Sequence, residues 1–204
     1  MPGILIGPIT GFTDRSKGKG IVSSAWLAQM GRSAAAMAGG GNIAAVVSAG
    51  ISPGSINNDN VLVSWTVPAN LFDIAGRGLL ITAMGSVANN TNSKTLKIIA
   101  GCTTATVGSA VTGGTTIATT TAYTTTGAVG WQIMAQIFKY GAGGSNTQIA
   151  LHQGAVIGSA NQALVVPSAL TLTENASFLL AITGNAVTAT TDIVLNFAEL
   201  FATN

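Results

Sequence analysis

A succession of short alternating segments, separated by turn residues, runs from Val61 to the end of the chain and constrains the fold more than any other feature. In the first segment, 61–67, valine or tryptophan stands at every second position before Pro68 ends the run. A period of two places successive side chains on opposite faces of a β-strand. Comparable segments cover 78–87, 94–101, 130–140, 146–157, 163–166, 177–183 and 192–201. With a pair within 103–126, they predict an all-β chain of about nine or ten antiparallel strands, packed as a sandwich or barrel.

The segment 130–140 shows most clearly which face of a strand is buried. We expect its apolar set to face the core: Trp131, Ile133, Ala135 and Ile137. Gln132, Gln136 and Lys139 are then predicted to face water, because they are the polar residues of the segment. Trp65 is assigned to the core in the same way.

Charge is scarce: only 7% of the residues are charged, whereas 48% are hydrophobic. A typical soluble domain carries about a quarter charged residues, so the surface here must be built from Thr, Ser, Asn, Gln and Gly. Residues 103–126 include 12 threonines and no proline. Mucin-like stalks are rich in proline as well, and threonine is a good strand former. We therefore interpret this stretch as two exposed strands with their loops.

Residues 1–57 differ from the remainder of the chain. They are rich in glycine and alanine and carry a net charge of +3, whereas residues 58–204 carry −1. We predict an extended, partly helical amino-terminal arm over 1–57 and a β-sandwich over 58–204. Recurrent glycine and proline favour extended backbone over 1–20, and residues 23–30 are expected to form a short helix that ends near Gly31.

A glycine-rich arm with few apolar side chains becomes ordered most easily when those side chains pack against the surface of a partner. The basic residues of the arm suit an acidic partner. The predicted partner-docking residues are Phe12, Arg15, Lys17, Lys19, Trp26, Met30 and Arg32. Local packing of Trp26 and Met30 on the body of the fold is the alternative.

Several classes of partner and compartment are disfavoured. Residues 33–58 carry no charge, but glycines and Pro53 interrupt the segment. Because a membrane-spanning helix needs about 20 predominantly apolar residues, no membrane insertion is expected. Four basic residues in the arm would neutralise few phosphates, so no nucleic-acid partner is expected. The single cysteine, Cys102, forms no internal disulfide and fits assembly in a reducing compartment.

Residues that carry chemistry are few. The chain has one histidine, one cysteine and six carboxylates, and a zinc site draws three or four such ligands. We expect His152 to point outward from a strand and Cys102 to lie at a strand end. Asp73 and Glu174 are assigned to turns and Asp192 to the start of a strand. We predict no catalytic, cofactor or metal residues, and we regard a small-molecule ligand as disfavoured; an enzyme would need a cleft with convergent carboxylates.

Four segments occur in a fixed order along the chain: WTVPANL at 65–71, GLLITAMG at 78–85, ANNTNSKTLK at 88–97 and GWQI at 130–133, followed by a glycine-rich turn and Gln148. Over roughly residues 61–150 the chain therefore resembles structural proteins of tailed bacteriophages. Such virion proteins are similar to jelly-roll modules, usually trimeric, that serve as capsid cement or decoration proteins, head fibres or tail components. The long arm of this chain departs from that pattern.

The resemblance implies a structural role without catalytic residues. We therefore expect an antiparallel jelly-roll-like β-sandwich that clamps neighbouring capsid subunits as a homotrimer. The implied partners are other copies of the chain and the major capsid protein or other virion proteins. The implied location is the outer capsid surface, after assembly in the host cytoplasm. The alternative is a host- or glycan-binding module at a head fibre or tail, for which Tyr123 and Tyr140 are the candidate exposed aromatic residues.

Overall fold

The computed structural model describes residues 42–125, 127–158, 160–161 and 163–203. These residues form β-strands joined by loops and one 3-10 turn at Thr190–Asp192, and they include no α-helix. The strands are β1 (Asn42–Ile51), β2 (Asn60–Val67), β3 (Gly78–Val87), β4 (Asn90–Thr104), β5 (Thr112–Thr119), β6 (Tyr123–Thr125), β7 (Val129–Lys139), β8 (Gln148–Ile157), β9 (Ala160–Asn161), β10 (Ser168–Leu170), β11 (Phe178–Ala186) and β12 (Ile193–Thr203).

The strands form two antiparallel sheets. One sheet has seven strands in the order β1-β12-β3-β7-β8-β10, with β9 paired to β8. The other has five strands in the order β2-β11-β4-β5, with β6 paired to β4. Side chains from both sheets belong to one hydrophobic core cluster, so the sheets enclose the core as a sandwich. The prediction of an all-β chain built from two antiparallel sheets is confirmed.

The alternation in β7 is confirmed for its apolar set. The side chains expected in the core are buried: Trp131, Ile133, Ala135 and Ile137. Trp65 on β2 is buried as well. The register pairs β7 with β3 without interruption from Val129 to Phe138, which keeps the inward phase of both strands aligned. The same phase continues to Lys139, which is fully buried. The prediction that Lys139 faces water is therefore wrong.

His152 is also buried rather than exposed, and the prediction that it points outward is wrong. It follows Gln148 and Ala150 on the inward phase of β8. Gln148 and His152 are polar residues on this inward phase, and polarity alone does not reveal that their positions face the core.

The first strand lies within the range assigned to the arm. β1 begins at Asn42 and pairs with β12 from Asn42 to Ile51, and residues Asn42–Asn204 form one compact unit. The predicted boundary at residue 58 is therefore later than the start of the sheet. The extended segment 1–20 and the helix at 23–30 lie outside the described residues.

The loop 105–111 covers one edge of the five-stranded sheet. The backbone N–H of Val61 donates to the Ser109 carbonyl at 2.9 Å, and the N–H of Gly108 donates to the Val61 carbonyl at 2.8 Å. Ala105 and Val111 of the loop pack on a second small cluster on the outer side of this sheet. These bonds satisfy backbone groups at the exposed edge of β2, which would otherwise be open to another strand.

Gly85 allows the Trp131 indole to close one end of the core. The indole Nε1–H of Trp131 donates to the carbonyls of Ser86 and Val194, both at 3.1 Å. A Cβ at residue 85 would lie 1.9 Å from the Val194 carbonyl oxygen and 2.7 Å from the indole ring. No side chain fits at residue 85 unless β12 or the indole moves.

We expect Gly85→Ala to lower the free energy of unfolding by about 2–3 kcal/mol, because overpacking a rigid site forces backbone shifts of this cost. The matched control is Gly154→Ala on β8, where a Cβ meets no atom within 4 Å. That change should be neutral or slightly stabilising. Urea unfolding of the three proteins gives the values, and equal stability of both variants would contradict the close-approach argument.

Candidate functional site

None of the predicted partner-docking residues falls within the described part of the chain. Phe12, Arg15, Lys17, Lys19, Trp26, Met30 and Arg32 all precede Asn42, so their docking role stays a prediction. The features that the structure does define are the solvent-side face of the seven-stranded sheet and a cleft formed by the five-stranded sheet.

The side of the seven-stranded sheet that faces away from the core carries many apolar side chains, and we call it the outer face. None of them belongs to either core cluster. They are Val47, Leu80, Met84, Met134, Phe138, Ile149, Leu151, Val156, Phe197 and Phe201. Val47 is 79% exposed and Met84 is 38% exposed, and the others are half-buried.

Strand register turns these side chains into continuous rows. Val47, Phe197 and Met84 are consecutive partners across β1, β12 and β3. The row continues through Gln132 of β7 to Val156 of β8. Because side chains directly opposite on neighbouring strands are in contact range, this row is one strip of apolar and amide surface.

Glu199 stands beside that strip as a charge on the outer face. It is opposite Ala45 on β1 and Thr82 on β3. Its carboxylate makes no ion pair or hydrogen bond with the described residues. A partner that covered this face would have to bring a cation or a hydrogen-bond donor to Glu199, because a buried unpaired charge is costly.

The second feature is an open cleft of about 420 Å³ at one end of the five-stranded sheet. Thr66, Leu179 and Cys102 are consecutive partners across β2, β11 and β4, and they form one row of its lining. Other parts of the lining come from the end of β4 and from the segment 171–178.

The segment 171–174 forms one wall of this cleft. Thr171 and Thr173 are exposed on the wall, whereas Leu172 and Glu174 alternate with them and are buried. Gly101 lies against this wall: a Cβ there would lie 2.9 Å from Cδ2 of Leu172, and its φ is +72°. Glycine is therefore required at residue 101 both by the backbone conformation and by the close approach of the wall.

A buried polar network holds the wall in place. The Gln148 amide both donates to the Leu172 carbonyl at 3.1 Å and accepts from the Leu172 N–H at 2.9 Å. Glu174 forms a buried ion pair with Lys139, and it accepts further hydrogen bonds from the Gln148 amide at 2.6 Å and the Gly144 N–H at 2.7 Å. Each buried charge thus has several partners, as buried charges require.

The electrostatics of Glu174 follow from these contacts. Burial alone would raise the pKa of its carboxyl, but hydrogen bonds from Lys139, Gly144 and Gln148, together with the Lys139 charge, outweigh that effect. The pKa therefore lies below its ordinary value, and Glu174 is ionised in the folded protein at neutral pH.

A second buried lysine, Lys94, binds the first residues of β4. The Lys94 ammonium donates to the Asn90 side-chain oxygen and the Asn92 carbonyl, both at 2.7 Å. The amides of Asn90 and Asn92 in turn donate to the Asp192 carboxylate. Burial lowers the pKa of Lys94, and the charge of Asp192 opposes that shift. The cluster joins the start of β4 to the 3-10 turn at Thr190–Asp192, so its chemistry is structural.

The histidine and the cysteine are likewise held by the fold. His152 Nδ1 accepts a hydrogen bond from the Val165 N–H at 3.0 Å, and burial lowers the pKa of the ring. The Cys102 thiol donates to the Ile99 carbonyl, and burial raises its pKa, which disfavours the reactive thiolate. Within the described ranges 42–125, 127–158, 160–161 and 163–203, no three metal-ligating side chains converge.

Sequence reasoning missed both features. The sequence signal for the outer face was the presence of apolar residues, such as Leu80, Met84 and Phe138, at the strand positions that alternate with the core positions. The cleft depends on a segment, 171–178, that follows strand β10 and has no distinctive pattern. A signal for the network was present in Lys139 and Gln148, two polar residues on the inward phase of strands.

No family model and no curated protein matches the chain. The crystal structure of the Caenorhabditis elegans galectin LEC-6 is similar to 70% of this chain over 93% of its own, at 11% identity and a TM-score of 0.24. A likeness of that size carries no argument about function. Among the described residues no helix is long and apolar enough to cross a membrane.

We expect Glu174→Gln to lower the free energy of unfolding at pH 7 by about 3 kcal/mol, because it leaves the buried Lys139 ammonium without its counter-ion. Since the folded pKa of Glu174 is lowered, its contribution is present above the unfolded pKa of about 4.3 and is lost as the pH falls through the folded pKa. The stability difference between wild type and variant should therefore shrink below about pH 4.

Chemical denaturation at a series of pH values measures this difference. The matched control is Asp73→Asn, because its ion pair with Arg77 is partly exposed to solvent and the change should cost under about 1 kcal/mol at pH 7. A constant difference between wild type and Glu174→Gln from pH 7 to pH 3 would contradict the assignment.

Proposed function

We propose that this protein is a non-enzymatic structural component of a bacteriophage virion: a capsid cement or decoration protein that clamps neighbouring capsid subunits as a homotrimer. The observation that carries the proposal is the outer face, a broad apolar and amide surface with one unpaired charge, Glu199. A contiguous apolar surface of this kind marks a site of contact with another macromolecule.

The strand order supports a jelly roll as the architecture. Successive strands from β1 to β4 alternate between the two sheets, and β11 and β12 do so again. The quartets β1-β12-β3-β7 and β2-β11-β4-β5 then correspond to the two four-stranded sheets of an eight-stranded jelly roll, a fold used in viral capsid and lectin domains. In this reading β8, β9 and β10 are an insertion that widens the first sheet and its outer face.

Contacts between copies would use the outer face, and contact with the shell would use the arm. The low charge of the chain allows copies to approach closely with little repulsion. Specific interfaces bury about 1,600 Å², and repeated copies on a particle add avidity. The basic and apolar docking residues of the arm, from Phe12 to Arg32, would meet an acidic or grooved face of the capsid protein.

We expect the full chain to form a trimer, and we expect the double change Val47→Glu with Met84→Glu to dissociate it. These two residues flank Phe197 in one row of the outer face, and burying two unpaired carboxylates should raise the dissociation constant by about 100-fold or more. Analytical ultracentrifugation measures the association. The control is Val107→Glu, which changes a valine that is 50% exposed in the loop 105–111. A variant that stays trimeric would exclude the outer face as the interface.

Deletion of residues 1–40 should leave a soluble trimer that no longer decorates capsids, because the described unit begins at Asn42. Shells lacking the protein are mixed with the full or truncated chain, and occupancy is measured from images of the particles. Full occupancy by the truncated chain would contradict the docking role of the arm. Failure of the full chain to bind any shell would contradict the cement function itself.

A further inference from the structure

The lining of the cleft combines free hydroxyl groups with apolar atoms and contains no charged residue. Five of the lining residues carry a hydroxyl: Thr66, Thr103, Thr171, Thr173 and Ser177. The apolar part of the lining consists of Leu172, Phe178, Leu179, Cys102 and Ala176. Such a mixture suits a ligand that has polar groups on its edges, apolar patches on its faces and no net charge.

The hydroxyl groups in the cleft are not used by the fold. None of the five makes a hydrogen bond with the described residues. Elsewhere in the same molecule, neighbouring hydroxyls satisfy one another: those of Thr104 and Thr112 are 2.7 Å apart, and those of Ser145 and Thr147 are 2.6 Å apart. The cleft thus gathers hydroxyl groups whose hydrogen-bonding capacity is free for a ligand.

The wall of the cleft is positioned before any ligand binds. The Gln148 amide fixes the backbone of Leu172 with two hydrogen bonds, and the buried Glu174 anchors the next turn of the segment. Thr171 and Thr173 project from the piece of backbone held in this way. A ligand that bonded these hydroxyls would pay little to order the wall, which favours binding.

We infer that the cleft binds an uncharged sugar ring, such as the terminal hexose of a glycan. A pyranose presents hydroxyl groups around its edge and C–H groups on its faces, which matches the threonine and serine hydroxyls around the apolar row Leu179–Cys102. The volume of about 420 Å³ is within the range of small-molecule sites, which run from about 300 to 1,000 Å³. The cleft belongs to the five-stranded sheet, so this inference is independent of the proposed assembly role.

The test is a titration of the ¹⁵N-labelled full chain with the methyl glycosides of glucose, galactose and mannose. We expect at least one to shift the amide resonances of Gly101, Thr103 and Leu179 with a dissociation constant on the order of 1–10 mM. Thr66→Val and Thr173→Val should each weaken binding about fivefold, because each removes a single hydroxyl at nearly constant volume. The matched control is Thr116→Val, an exposed β5 threonine outside the cleft, which should bind as wild type does.

Methyl glucuronide serves as the charged counterpart. We expect it to bind more weakly than the neutral glycosides, because the cleft lining includes no cation to pair with its carboxylate. Three results would overturn the inference: no shift with any neutral glycoside up to 50 mM (roughly the useful limit for weak ligands), equal affinity of wild type and both cleft variants, or tighter binding of the glucuronide. Each is distinguishable from a failure of the assembly proposal, which is read from sedimentation and particle occupancy.

Discussion

The packing of two inner sheet faces against each other is the constraint on which the other features depend. Leu79, Ile81 and Ile133 from one sheet and Leu96 and Ile98 from the other are fully buried in one cluster. Because successive side chains of a strand point to opposite faces of the sheet, burial of one face in the core places the other face on the exterior. The outer face and the cleft are therefore consequences of which residues the chain places in the second phase of its alternation.

Two positions in that inner face hold charged residues instead of apolar ones. Lys139 ends β7 on the inward phase, and Lys94 lies near the start of β4; both are fully buried. The Lys139 ammonium is paired with Glu174, which lies in a loop, and the Lys94 ammonium is surrounded by oxygen atoms of residues 90–92 at the start of its own strand. Such partners make burial of the charge tolerable. Lys139 thereby ties a loop to β7, and Lys94 orders the residues that bond Asp192 before β12.

Sequence reasoning recovered the class of fold because period and turn chemistry are local properties. The strands around Trp65 and Trp131 follow directly from alternation. The Asn-rich stretch predicted as a turn at 88–92 includes the break between β3 and β4 at 88–89, although β4 already begins at Asn90. Lys139 and His152 were misassigned because burial of a polar side chain is decided by partners that are distant in sequence. Glu174 lies 35 residues from Lys139, and no local pattern reports such a pairing. The membership of β1 in the sheet was missed for the same reason, since its partner β12 is at the other end of the chain.

The two exteriors of the sandwich differ in chemistry, and this difference limits what each can do. The outer face of the seven-stranded sheet presents phenylalanine, leucine and methionine in rows, which favours broad contact with another protein surface. The five-stranded sheet is covered in part by the loop 105–111, and what it leaves open is a small cleft lined by hydroxyl groups. A protein partner needs area, whereas a sugar ring needs a few directed hydrogen bonds in a preformed site. One sandwich can therefore serve an assembly contact on one side and recognise a small polar ligand on the other, without either use disturbing the shared core.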